Sequence, residues 1–177
     1  MKKLLLKLFF LFLIVIQSQA QNNPIEKSTN KIAVIETVST EQWDSVEIYN
    51  RIKGWMIEKK LSILEDSINK SLLSKNSFFV YNKGPFSKTL HGKIHYSLLI
   101  EIKNKRYRYT ISNFVFHYYK QNRNYAFVPT GKTKPLEEKS APGWGKLWED
   151  HKKNMQTEIQ KLIADLKKNH FCNSKTI

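Results

Sequence analysis

The sequence predicts an α+β domain: an antiparallel five-stranded sheet with two helices, in the order strand, helix, four strands, helix. Three observations lead there. The stretches "KIHYSLLIEIK" and "RYRYTISNFVFHYY" alternate apolar and polar residues on either side of Asn104-Lys105, the signature of a β-hairpin. From Trp144 to Leu166 apolar residues recur every three or four positions, with lysines on the opposite side, as in a long amphipathic helix. An apolar helical stripe needs a surface to cover, and one face of such a sheet provides it.

The elements follow in order. Residues 21–30 are polar, carry a Pro and read as a flexible lead-in. "KIAVIETVS" is rich in β-branched residues and reads as the first strand. Ser39 with Gln42 three positions on fits a capping box, predicting a helix from about Thr40 to Lys60 through Trp43, Val46, Ile52 and Met56. "LSILED" and "SLLSKNSFFVY" read as the next two strands, and "NKGPFSKTLHG" as a loop. In the hairpin, Ile94, Tyr96, Leu98, Ile100 and Ile102 share one face. On the returning strand Tyr107, Tyr109 and Ile111 are followed, with the opposite parity, by Phe114, Phe116 and Tyr118. A β-bulge near Asn113 would restore the facing. Residues 120–143 hold Pro129, Gly131, Pro135, Pro142 and Gly143 and read as loop. The final helix is expected to run to about Asn169, within a single domain over 31–169 that leaves 170–177 as a polar tail.

The chain has 177 residues, 41% hydrophobic and 25% charged, with a net charge of +15. That composition suits one folded domain and excludes wholesale disorder. The charge predicts attraction to anionic surfaces. The first twenty residues give an address. Lys2, Lys3 and Lys7 precede the apolar run Leu8–Ile16, and Ser18-Gln19-Ala20 offers a cleavage site, the layout of a secretory signal peptide over 1–20. The run is too short to span a bilayer as a helix, and no Cys stands at the cleavage point. Cleavage after Ala20 lowers the net charge from +15 to +12 and places the protein in the periplasm or envelope. Cys172, the only cysteine, has no intramolecular disulfide partner.

The helix "VEIYNRIKGWM", the hairpin "YSLLIEIKNKRYRYTISNFVF" and the leader ending in Ala-Gln resemble a family of small secreted bacterial proteins known as a domain of unknown function. Tyr49, Trp55, Arg108 and Tyr109 carry the match, which covers about residues 32–119. The resemblance implies a fold like one repeat of the TATA-binding protein (TBP), and it brings no activity with it. Members usually have Gly in the hairpin turn, where this chain has Asn104-Lys105.

Candidate sites are few. "AFVPTGKT", residues 126–133, imitates a phosphate-binding loop, but Pro135, Pro142 and Gly143 leave no room for the helix that must start at its Lys. His91 and His95 lie four apart, ~13 Å on an extended strand, too far for one metal. Asp44, Glu65, Asp66 and Glu101 show no acid–base spacing. No catalytic residue, metal site or cofactor is predicted. An antiparallel sheet needs one apolar face merely to fold, so the aromatic side of "KNKRYRYTISNFVFHYY" is read as core and its arginine side as solvated. Arg106, Arg108, Lys120 and Arg123 are the candidate contacts to an anionic ligand, and Trp144 and Trp148 beside the glycines of "PGWGKLW" the candidate partner contacts. The expectation is an exported, non-enzymatic binding or scaffolding module whose partner is an anionic envelope component or another envelope protein. The alternatives are a nucleic-acid binder using a basic and aromatic sheet face, and an enzyme whose site lies in the 82–92 or 120–143 loops.

Overall fold

The computed structural model describes residues 31–83 and 88–171. The stretches expected to be signal peptide (1–20) and lead-in (21–30), and Cys172, lie outside them. The elements are β1 (Val34–Ser39), α1 (Ser45–Glu58), β2 (Leu64–Asp66), β3 (Ser71–Lys83), β4 (Lys88–Lys103), β5 (Arg106–Gln121), β6 (Phe127–Pro135) and α2 (Gly145–Phe171). The fold is α+β, with an antiparallel sheet ordered β1-β5-β4-β3-β2 and β6 also paired to β5.

The sheet therefore has six strands where the sequence suggests five. The extra one, β6, lies in the stretch read as loop. It carries Pro129 and Pro135, which a sheet edge tolerates because no second neighbour needs their missing N–H. Gly131, at φ 76°, lets residues between Pro129 and Thr133 bow out while the flanks stay paired to Tyr119 and His117. β1 and β6 share one edge of β5 end to end: β1 pairs with Arg106–Ile111 and β6 with Val115–Gln121. Asn113 lies at their junction with φ 58°. There β5 has one residue more than β4, since His95 faces Val115 while Ser97 faces Ser112. This is the expected bulge, and it turns both Tyr109 and Phe114 into the core, each with no exposed surface.

The "NKGPFSKTLHG" stretch is mostly strand rather than loop. β3 runs to Lys83 and β4 begins at Lys88. Val80 pairs with Gly92 and Tyr81 with Leu90, so His91 is an extra residue on β4. The first helix starts five residues later than the capping box suggests. Asp44 is the N-cap, its carboxylate accepting from the backbone N–H of Val46 and Glu47. Ser39 instead ends β1. The two-residue hairpin turn holds Lys105 at φ 54°, a conformation glycine takes more cheaply.

Both helices lie on one face of the sheet. Ile48, Ile52, Trp55 and Met56 of α1 and Trp148, His151, Met155, Ile159 and Leu166 of α2 are buried against Leu72, Ile94, Leu98, Ile100, Tyr107, Tyr109 and Phe116. Burying each large apolar side chain is worth ~1.5–3 kcal/mol. Polar ties fix the helices. Trp55 Nε1 donates to Asp165 Oδ2 at 2.9 Å, and Lys59 Nζ pairs with the same oxygen at 2.9 Å. Glu36 of β1 accepts from both the Tyr109 hydroxyl and Lys167 Nζ.

At the start of α2 the core is built of rings. Phe116 stacks on His151 with centroids 4.9 Å apart, meets Trp148 edge-on at 5.7 Å, and lies 5.5 Å from His91. The bulge turns His91 inward, where its Nδ1 is 2.7 Å from His151 Nε2. Gly92 makes room for this. A Cβ there would stand 2.3 Å from Phe116 Cζ and 2.4 Å from the His117 carbonyl oxygen.

Candidate binding face

No described element packs over the opposite side of the sheet. Cross-strand partners share a face, so the pairing registers define what it displays. Across β3, β4 and β5 the rows are Ser71, Glu101 and Arg108; Leu73, Leu99 and Thr110; Lys75, Ser97 and Ser112; Ser77, His95 and Val115; and Phe79, Lys93 and His117. Lys103 and Arg106 face each other at the turn. These residues alternate with buried Leu72, Ile94, Leu98, Ile100, Tyr107 and Tyr109, which confirms that they look away from the helices.

The face is divided along its length. One end, at the β4–β5 turn, is cationic: Lys103, Arg106 and Arg108 answer only Glu101 there. The other end is aromatic. Phe79 and Tyr81 are 47% and 45% exposed, unusual for large rings, and Phe79 meets Tyr119 edge-on with centroids 6.1 Å apart. Lys93 Nζ sits 5.1 Å above the Phe79 ring, a cation–π contact. Where the middle of the face meets the aromatic end, the His95 and His117 rings, from adjacent rows, approach to 4.0 Å. Burial, then the neighbouring His117 and Lys93, hold His95 below the ordinary imidazole range. Whole-face charge is positive, because Lys75, Lys93, Lys103, Arg106 and Arg108 outnumber Glu101 and Asp66. Asp66 is also occupied with the N–H groups of Ile68 and Asn69.

The four cations singled out from the sequence do not form one cluster. Arg106 and Arg108 are exposed on the open face, whereas Lys120 and Arg123 lie beyond its far end. Arg106 and Lys120 are fourteen residues apart on β5, roughly 45 Å at ~3.3 Å per residue. Trp148 is 2% exposed, with Nε1 donating to the Glu138 carbonyl, and is closed to a partner. Trp144 is partly exposed, 5.1 Å from the His91 ring and 5.9 Å from Tyr118. The imitation phosphate loop lies on β6, with no helix at its Lys132. His91 and His95 face opposite sides of the sheet, each paired with a different histidine. Sequence reasoning passed over Phe79, Tyr81 and Tyr119, and both histidine pairs. A Gly inside a strand pattern, here Gly92, was the available sign that a bulge re-aims a neighbour.

Residues 35–117 match the family model described as "Domain of unknown function (DUF4468) with TBP-like fold". This segment is a DUF4468 domain. It contains β1 to most of β5, hence nearly the whole open face. Two crystal structures share the fold. A TBP-like protein from Parabacteroides distasonis superposes with a TM-score of 0.62 at 16% identity, over 82% of this chain and 96% of that one. A DUF4468 family protein from Bacteroides ovatus gives 0.60 at 11% identity, over 86% and 94%. No curated protein matches.

Proposed function

We propose that this DUF4468 protein is an exported, non-enzymatic binding module of the bacterial envelope, and that its open sheet face engages phosphate-bearing envelope lipid. The observation that carries the reading is the division of that face. Lys103, Arg106 and Arg108 form a cationic end, and exposed Phe79 and Tyr81 with half-buried Tyr119 an aromatic one, where Lys93 lies over the Phe79 ring. Lys and Arg attract anionic headgroups, and amphipathic rings favour the interface just beneath them. The basic start and apolar run of residues 1–16 support export.

Co-sedimentation of the tag-free chain with vesicles tests this. Binding to vesicles of anionic phospholipid or lipopolysaccharide at low salt, weakening as salt rises, and no binding to zwitterionic vesicles is the expected pattern. Equal binding to both, or none to either, overturns it. Salt-sensitive binding to single-stranded nucleic acid with vesicles ignored would move the face to a different ligand class.

A further inference from the structure

Two neighbouring rows of the open face hold a chemistry that anion binding does not use. His95 and His117 come from adjacent strands, one diagonal step apart, because His95 faces Val115 and His117 faces Lys93. Their rings lie 4.0 Å apart at 37°. Two hydroxyl residues flank them in register, Ser77 opposite His95 and Thr133 opposite His117. Among the described residues neither imidazole has a hydrogen-bonding carboxylate or carbonyl partner, whereas His91 and His151 bond to each other.

We propose that His95 and His117 form a two-imidazole site for a divalent transition-metal ion of the zinc, nickel or copper kind. Imidazole nitrogen is a preferred ligand of these ions. The two side chains project from adjacent strands on the same face, so rotation about their side-chain bonds, with no movement of the backbone, swings the tilted rings until one nitrogen of each meets a shared ion. Among the described residues no third His, Cys, Asp or Glu joins the pair. Water therefore completes the coordination sphere, and the site is open and exchangeable rather than closed and structural. Nearby Lys93 disfavours the cation, so affinity is modest and falls on acidification, as ligand nitrogens are protonated.

Calorimetric titration of the tag-free chain with zinc, nickel and copper chlorides, without lipid, tests the site. One equivalent bound at neutral pH is expected, weakened about tenfold or more by His95→Ala and by His117→Ala, and unchanged by His170→Ala. Copper bound to the parent chain should show nitrogen hyperfine coupling in its electron paramagnetic resonance spectrum, lost in the double variant. Both positions are partly solvent-exposed, so the variants should keep the parent circular dichroism. No binding at millimolar metal, or equal binding by the double variant, overturns the assignment. Either result leaves the vesicle experiment unaffected.

Discussion

His91 Nδ1 and His151 Nε2 stand 2.7 Å apart, joining the bulge of β4 to the first turns of α2 across 60 positions of sequence. His151 has no exposed surface, and its Nδ1 finds no partner among the described residues. The tautomer that strands no buried N–H has His151 Nε2–H donating to His91, with a bare lone pair at Nδ1. The pair is therefore built neutral. Burial, and then His91, push His151 down to about 4, with Asp150 acting weakly the other way, and burial lowers His91 too. Unfolded imidazoles titrate near 6.5. The unfolded chain thus binds more protons between those limits, so stability is fully present above about pH 6.5 and is lost as pH falls toward 4. The expected loss from His151 is about 3 kcal/mol. Urea unfolding across this range measures it, and His151→Phe should remove most of the slope while keeping the ring stack on Phe116.

Gly92→Ala should be among the most damaging small substitutions in the protein. The Phe116 ring can shift, but the His117 carbonyl 2.4 Å from the new Cβ belongs to the β5 backbone. Overpacking of this kind costs ~1–3 kcal/mol, and here the strand pair itself must separate. Thermal melting compared with Gly54→Ala, where nothing lies within 4 Å of an added Cβ, isolates the effect. The control should raise stability, by up to about 1 kcal/mol, because Ala favours helix.

Glu36 offers a test of how β1 is held. Burial would raise its pKa, but Lys167 and the Tyr109 hydroxyl outweigh it and keep the carboxyl below its usual range. This contribution is present at neutral pH and is lost as pH falls below the ordinary glutamate value. Glu36→Ala strands the Tyr109 hydroxyl and should cost ~1–3 kcal/mol. Lys167→Ala should cost less, under ~1 kcal/mol, since that side chain is about a third exposed. In a denaturation double-mutant cycle, Glu36→Gln should couple more strongly to Tyr109→Phe than to Lys167→Met.

The cationic end of the open face should dominate vesicle binding. A cation near an anionic surface contributes ~1 kcal/mol, so Arg106→Gln with Arg108→Gln should weaken binding roughly thirtyfold at low salt. Lys120→Gln with Arg123→Gln removes the same charge beyond the other end of the face and should change it far less. Equal losses from the two pairs would mean that net charge, not this surface, is responsible.

The hairpin, the bulge at Asn113 and the final helix were legible because each is written in local periodicity. Tyr107, Tyr109, Phe114 and Phe116 declare their facing by parity alone. The sixth strand was not, because its prolines mimic loop punctuation, and only pairing with β5 makes it a strand. The helix start misled for a related reason. Ser39 and Gln42 have capping spacing, yet Ser39 is needed by β1 opposite Arg106, and Asp44 takes the cap. The histidine pairs depend on contacts 60 and 22 positions apart, set by two bulges, and no window of sequence contains either. The open face was half visible: its arginines were read as solvated, but Phe79 and Tyr81 look like ordinary core residues until β3 is placed in register.

The shared edge of β5 bears on how the chain comes together in time. β1 is made first, yet its partner for Val34 is Ile111, supplied 77 positions later. A polypeptide delivered from its amino end must hold that sticky segment unmatched until the β4–β5 hairpin arrives to template it. Assembly is thereby paced by late residues, and the interval before they appear is when the molecule most needs protection from its neighbours.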